Sequence, residues 1–106
     1  MIISTTENIA GYSIKEHLGT VIGNTIRARH VGKDIMAGLR TIIGGEIKEY
    51  TGMLAESREQ SMMRMKDKAK ELDADAVVGV RFQTSMILSG TAELLVYGTA
   101  VKLEKS

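Results

Sequence analysis

The feature that most constrains this fold is a pair of apolar, valine-rich segments near the C-terminus. They are residues 76–82, which read AVVGVRF, and residues 97–101, which read YGTAV. β-Branched residues of this kind are typical of strands. Ser89 and Gly90 lie between the two segments and are a hairpin turn signal. The pattern predicts two antiparallel strands, over about residues 76–87 and 91–104, in a sheet that partner subunits complete.

The composition leaves material for only a modest core. The chain has 106 residues, with one Phe, three Tyr and no Trp. Aliphatic side chains and methionine must therefore form the interior, and a domain of this length buries a smaller share of its surface than a longer one. We expect a single domain over residues 1–106 that buries further apolar surface by association.

Two more strands are predicted in the first third of the chain. Ile2 and Ile3 suit a short edge strand. Residues 12–29 alternate in polarity and are rich in β-branched residues, which predicts a long strand. Gly19 and Gly23 within it suggest bulges or a strong bend.

Two helices are predicted between these strands and the C-terminal pair. Residues 33–43 have helical spacing and precede Gly44 and Gly45, which would end a short helix. A long helix is predicted over residues 46–72. Its apolar stripe comprises Ile47, Tyr50, Leu54, Ser61, Met65, Ala69 and Leu72. The elements together predict an α+β fold, in which one long and one short helix cover one face of a mixed, mostly antiparallel sheet. The connection through the helices is also long enough for the first long strand to form a parallel pair with a later strand.

The motifs, taken in order, resemble the YbjQ-like family, also called the "putative heavy-metal-binding" domain family. The residues that carry the resemblance are Thr5-Thr6, residues 9–12 (IAGY), Gly44-Gly45-Glu46, Tyr50, Met53-Leu54, Arg58, residues 76–82 and residues 97–101. The resemblance implies a small subunit, dodecin-like in its fold, that is assembled as a ring-shaped homopentamer.

The chain departs from the family pattern where a metal would matter. Many members have an Asp at the position of Gln83 and a Cys near Leu95 and Val96, whereas the neighbouring Glu93 is retained. Soft metals favour thiolate ligands. His17 and His30 are thirteen residues apart, and the methionines of the long helix scatter around it rather than sharing one face. We therefore expect no metal site and no cofactor.

Charge and composition argue against several other classes of function. The 14 basic and 13 acidic residues give a net charge of +1, and there is no cysteine. A near-neutral chain has no general field that would attract nucleic acid or an anionic membrane. No thiol nucleophile or disulfide can form. No apolar run reaches the roughly 18 residues of a membrane span, and the N-terminus lacks the pattern of a secretion signal. We expect a cytoplasmic protein that binds neither nucleic acid nor membrane.

Two arginines are the most informative candidate functional residues. Arg58 falls inside the apolar stripe of the long helix, and Arg81 lies between Val80 and Phe82 in an apolar strand. A desolvated guanidinium needs a carboxylate or several carbonyl partners, and Glu46 and Glu93 are candidates. Each arginine would form an ion pair at a subunit interface or bind an anion or carboxylate. Side chains alternate on a strand, so Arg81 should point away from Phe82.

The Gly44-Gly45-Glu46 motif is open to two interpretations. It is a tight turn in which Glu46 caps its own helix, or its backbone N–H groups bind an anion. The turn is the more usual role of a glycine pair. The full set of ligand-binding or interface candidates is Gly44, Gly45, Glu46, Tyr50, Arg58, Arg81, Glu93 and Tyr97.

These observations favour a non-enzymatic homo-oligomer, expected to be a pentamer, that binds a small ligand or ion or acts as a scaffold. No catalytic residue is assigned. One alternative is a heavy-metal-binding protein that uses carboxylate and imidazole ligands. A second is an enzyme whose site is built between subunits from Arg81, Glu46 and Tyr50.

Overall fold

A mixed four-stranded sheet carries one long helix on one of its faces. The computed structural model describes the backbone of residues 1–28, 42–43, 46–88 and 91–106, and the side chains of residues 1–27, 54–86 and 91–106. The elements are β1 (Ile2–Ile3), β2 (Tyr12–Ala28), β3 (Ile42–Ile43), β4 (Glu46–Ile47), α1 (Lys48–Glu71), β5 (Ala76–Leu88) and β6 (Thr91–Lys105). The prediction of an α+β fold with a mixed sheet is confirmed.

The strand order of the sheet is β1-β5-β6-β2. β5 and β6 pair antiparallel from Ala76↔Val101 to Leu88↔Thr91, which confirms the predicted hairpin. β2 pairs antiparallel with β6 along nearly its whole length. β2 and β5 therefore point the same way, but β6 lies between them, and the parallel pairing that the crossover allowed is not formed. The parallel pair is instead β1 with β5.

The predicted helix boundaries need correction around residue 44. Ile42–Ile43 form β3 and pair antiparallel with β4. A short helix therefore cannot extend to residue 43, and the long helix begins at Lys48 rather than at Glu46. Ile42 and Ile43 before a glycine pair, with Ile47 after it, satisfy a tight hairpin as well as a helix end. Residues 33–41, Gly44, Gly45, Ser89 and Gly90 lie outside the described residues.

The helix packs directly onto β2 at Gly23. A Cβ atom at this position would overlap the carbonyl oxygen of Ser61 and lie 2.5 Å from the backbone N of Met65. The β2–β6 register runs without interruption through Gly23, so the bulge predicted there is wrong. The predicted irregularity at Gly19 is confirmed by a register shift between His17 and Gly19 and by a φ of +121°. A glycine is therefore needed at position 23 because the backbones of β2 and α1 approach each other closely there.

The buried face of α1 is a ridge of residues spaced by four: Ser57, Ser61, Met65 and Ala69. Its polar members are satisfied. The hydroxyls of Ser61 and Thr25 lie 3.1 Å apart, and Ser61 Oγ donates to the carbonyl oxygen of Leu94 at 3.1 Å. Among the described residues, no helix is both long and apolar enough to cross a membrane.

The core has two parts, one on each face of the sheet. Under α1 lie Val21, Met65, Ala69, Val77, Val80, Val96 and Ala100. On the other face, Ala76, Val78 and Val101 form a smaller cluster with Ile9, Ile14 and Leu103. Beyond this cluster that face carries exposed apolar side chains, with Ile22 41 % and Ile26 58 % accessible. We call it the open face.

Gly23→Ala should destabilise the protein strongly, because the new methyl group must displace the backbone of α1. We expect a loss of roughly 3 kcal/mol in the free energy of unfolding, the upper end of overpacking costs. Gly52→Ala is the matched control, since Gly52 is exposed in α1 and a Cβ there has nothing within 4 Å. It should gain about 0.5–1 kcal/mol from helix propensity. Urea denaturation measures both changes; equal effects of the two variants would refute the close contact at Gly23.

Candidate functional site

A bulge in β5 places Arg81 on the open face of the sheet. Val78 pairs with Thr99 and Arg81 pairs with Tyr97, so two residues of β5 stand opposite Gly98 alone. Gly79 has a φ of +64°, a conformation that glycine adopts without strain. Phe82 pairs with Val96, a core residue under α1. Arg81 and Phe82 therefore lie on opposite faces, as predicted.

The N-terminal segment, residues 4–8, is hydrogen-bonded to this bulge. Ser4 N donates to Val77 O at 2.9 Å, and Val80 N donates to Ser4 O at 3.0 Å. Gly79 N donates to Thr6 O at 2.9 Å. The segment is braced internally, because Thr6 Oγ1 donates to Asn8 O at 2.6 Å. The segment runs along the same edge of β5 as β1, and its hydrogen bonds fix the β5 backbone next to Arg81.

The guanidinium of Arg81 is anchored through one of its three nitrogens. Nη1 donates to Thr5 O and to Val80 O, both at 2.8 Å. Nη1 carries two hydrogens, so these two carbonyls use them both. Nε and Nη2 have no hydrogen-bond partner among the described residues, and the side chain is exposed. Their N–H groups form the fork that binds a carboxylate through two parallel hydrogen bonds.

Arg81 lines an open cleft of about 840 Å³, which we call the Arg81 cleft. Its lining residues are Glu7, Asn8, Tyr12, Ser13, Ile14, His17, Val78, Gly79, Arg81 and Thr99. They come from the N-terminal segment and from strands β2, β5 and β6. The lining thus combines one fixed cation with hydroxyl, amide and imidazole groups, one carboxylate and two aliphatic side chains. It is suited to hold a small polar molecule that carries one negative charge.

Within one chain, Glu93 is not a partner of Arg81, and a pairing with Glu93 of another subunit stays a prediction. Glu93 accepts hydrogen bonds from Asn24 Nδ2 at 3.1 Å and from Ser85 Oγ at 3.4 Å. Arg81 stands opposite Tyr97. Glu93 and Tyr97 are four residues apart on β6, which is about 13 Å along a strand. The structure therefore brings Arg81 and Tyr97 together, and places Glu93 elsewhere on the same face.

The other predicted site residues do not join this cleft. Arg58 is exposed on α1 and lines a groove with Met62, Met63 and Phe82 on the opposite side of the sheet. It was expected to be buried, but the buried ridge of α1 passes through Ser57, so Arg58 lies about 100° around the helix from it. Glu46 lies in β4 and Tyr50 in the first turn of α1. Their side chains, and Gly44 and Gly45, lie outside the described residues.

Sequence reasoning missed most of the Arg81 cleft. Tyr12, Ser13 and His17 are at the start of β2, and Thr99 is on β6. Their proximity depends on the register of three strands and on the fold-over of residues 4–8. The sequence signal for them was that Tyr12 and Thr99 belong to the motifs on which the family resemblance rests.

The donor set of the described residues does not fit a heavy metal. No group of three or more His, Asp or Glu side chains in them could hold an ion, and the whole chain lacks cysteine. The two aspartates after α1 already have partners. Asp73 Oδ2 lies 3.0 Å from Lys102 Nζ, and this hydrogen bond raises the pKa of Lys102 above its ordinary value. Asp75 Oδ2 accepts the N–H of Leu103 at 2.8 Å.

Comparison with known proteins places these features in a family. A family model described as "Putative heavy-metal-binding" matches residues 1–104. A UPF0145 protein of Thermosipho africanus is 57 % identical over 106 residues, which cover 100 % of this chain and 98 % of the relative. A UPF0145 protein of Methanoculleus marisnigri is 56 % identical over 103 residues, which cover 97 % of this chain and 96 % of the relative. A UPF0145 protein of Colwellia psychrerythraea is 54 % identical over 105 residues, which cover 99 % of this chain and 100 % of the relative.

A solved structure shares the fold. It is the crystal structure of a protein of the DUF74 family from Pediococcus pentosaceus, titled as having unknown function. The TM-score is 0.65, with 21 % sequence identity and 98 % coverage of both chains. At this identity the likeness supports the fold alone.

Arg81→Ala should loosen the N-terminal segment rather than unfold the protein. The partners of Arg81 among the described residues are two backbone carbonyls, so we expect a loss of about 1–2 kcal/mol in the free energy of unfolding. The amides of Gly79 and Val80, which bond residues 4–6, should exchange faster with solvent. Lys68→Ala, at an exposed position of α1, is the control and should change neither quantity. Unchanged amide exchange in Arg81→Ala would contradict the role of Arg81 as an anchor.

Proposed function

Because the chain belongs to the YbjQ-like family, we propose that it is the subunit of a closed homo-oligomer, a pentameric ring, that holds a small ligand without converting it. The relatives carry names that state no activity, so the proposal is argued from the surfaces of the subunit. Two kinds of surface support it: unpaired strand edges and exposed apolar side chains beside them.

The observation that carries the proposal is the open outer edge of β5. β1 pairs only with Ala76 and Val77, and residues 4–6 form hydrogen bonds with the backbone of β5 as far as Val80. From residue 81 to residue 88, no described strand pairs with this edge. A free edge of this length is a template for pairing with another chain, and soluble proteins cover or blunt such edges.

The opposite edge of the sheet is also open. β2 forms it over 17 residues. Within the described part of the chain its outer side has no partner strand, and Arg64 Nη1 blunts it at one point by donating to Asn24 O at 2.6 Å. One sheet therefore ends in two different edges, both of them long.

Two different edges permit a heterologous contact between copies. The β5 edge of one subunit would pair with the β2 edge of the next, and a contact of this kind closes into a ring when the rotation allows. A ring with an odd number of subunits requires heterologous contacts, because an isologous contact joins copies two by two. The edges thus support the pentamer that the family resemblance implies.

Apolar side chains lie beside the open edge of β5. Phe82 is 45 % and Met86 79 % accessible. α1 lies over β2 and β6 and leaves this part of β5 uncovered. Burial by a neighbour would contribute up to about 1.5–3 kcal/mol for Met86 and roughly half of that for Phe82, which is already partly covered.

The two alternative functions have less support. A metal-binding role requires a cluster of ligands that the described residues do not form. An enzyme site built from Arg81, Glu46 and Tyr50 depends on side chains of which only Arg81 is described. Neither alternative accounts for the open edges.

Sedimentation velocity at micromolar concentration should reveal a pentamer. Met86→Lys should weaken its association at least tenfold, since a charge replaces an apolar group that the next subunit covers. Leu72→Lys is the matched control, because Leu72 is also exposed, at 43 %, but lies just beyond α1 and away from the β5 edge. It should leave assembly unchanged. A wild-type protein that remains a monomer at these concentrations would refute the ring, and equal effects of both lysines would refute the β5 contact.

Zinc, copper(I) and cadmium should bind weakly or not at all. The expectation follows from the absence of cysteine and the lack of a ligand cluster among the described residues. Calorimetric titration of each ion into chelator-treated protein measures this directly. Sub-micromolar binding at one ion per subunit would overturn it and favour the metal-binding alternative.

A further inference from the structure

The free fork of Arg81 points to a ligand of defined chemistry. We propose that the Arg81 cleft is a binding site for a small organic monocarboxylate, whose two oxygens accept hydrogen bonds from Nε and Nη2. This inference rests on the ligand-holding role proposed above. It does not rest on the ring, because every lining residue of the cleft belongs to one chain.

The first argument is that the guanidinium is held in place before any ligand arrives. Its anchoring nitrogen is bound by Thr5 O and Val80 O. The segment that provides Thr5 O is itself bonded to the bulge through Val77, Gly79 and Val80. An arginine fixed in this way loses little further side-chain freedom when it binds, which favours affinity.

The second argument concerns the charge of the ligand. The lining contains one carboxylate, that of Glu7, and no salt bridge between Glu7 and Arg81 is formed. A phosphate dianion would bring two negative charges into a cleft that already holds the Glu7 carboxylate, and would receive one full positive charge. A monocarboxylate brings one charge and matches the planar fork in shape. The cleft therefore discriminates against phosphate.

The third argument concerns the body of the ligand. Val78 is buried and Ile14 half-buried at the cleft, and both belong to the small apolar cluster on the open face. Tyr12, Ser13 and Thr99 add hydroxyl groups around them. A short aliphatic chain attached to the carboxylate can lie against the aliphatic side chains, whereas an inorganic anion cannot use them.

Butyrate is the probe that tests this assignment. Calorimetric titration at constant ionic strength should show saturable binding of one butyrate per chain at millimolar concentrations. Inorganic phosphate and chloride should bind at least tenfold more weakly. Arg81→Gln should weaken butyrate binding at least tenfold, and Arg81→Lys should weaken it as well, because lysine keeps the charge but lacks the fork. Arg64→Gln, which removes an arginine outside the cleft, is the matched control and should bind butyrate like the parent.

A second variant separates binding from the structural role of Arg81. Glu7 takes part in no side-chain hydrogen bond or salt bridge with the described residues. Glu7→Gln should therefore leave stability unchanged, strengthen butyrate binding roughly threefold by removing a like charge, and improve phosphate binding more than that. Unchanged affinities for both anions in Glu7→Gln would overturn the placement of the ligand beside Glu7.

The outcomes distinguish this site from the proposed assembly. Sedimentation velocity on the same samples reports the ring independently of the ligand. If the protein forms the ring but binds butyrate no better than chloride, the carboxylate site alone is overturned. The same holds if the ring forms and Arg81→Gln binds butyrate as well as the parent does. A monomer that binds butyrate as expected would overturn the ring and leave the site standing.

Discussion

The close contact of α1 with β2 at Gly23 determines how the rest of the subunit is exposed. Because Gly23 has no side chain, the backbone of α1 at Ser61 and Met65 lies directly on the strand. The helix is thereby fixed over one edge of the sheet and reaches β6, while the outer part of β5 stays uncovered. Phe82, Met86 and the free edge beside them are the consequence. The surface proposed for assembly thus follows from one glycine on β2, the strand at the opposite edge of the sheet.

A second backbone feature builds the ligand site on the opposite face. The bulge at Gly79 turns Arg81 towards the open face and provides the N–H groups that hold residues 4–6. The same segment returns a carbonyl to the guanidinium. Anchor and arginine therefore depend on each other, and the cation has no carboxylate partner among the residues that the structure describes. That arrangement leaves its charge available to a ligand, which a buried ion pair would not do.

The sequence predicted the elements better than their contacts. Alternation and β-branched content located β2, β5 and β6, and the Ser89-Gly90 signal paired the last two correctly. Local patterns could not distinguish a glycine that permits a bulge, Gly19, from one that permits helix contact, Gly23, since both interrupt a strand in the same way. Arg58 was placed in the buried stripe because a helical period leaves the rotation of the helix uncertain by one residue. The distance between Arg81 and Glu93 within the chain could not be predicted because strand register is a tertiary property, and the Arg81 cleft was missed for the same reason.

The central claim is that the β5 edge is covered by another copy of the chain. Hydrogen–deuterium exchange, resolved by residue and measured above and below the concentration at which the protein assembles, tests it most directly. The account predicts that alternate amides between residues 81 and 88 become protected only in the assembly, because every second N–H of an edge strand points outward. Rapid exchange of these amides in a fully assembled sample would contradict the account.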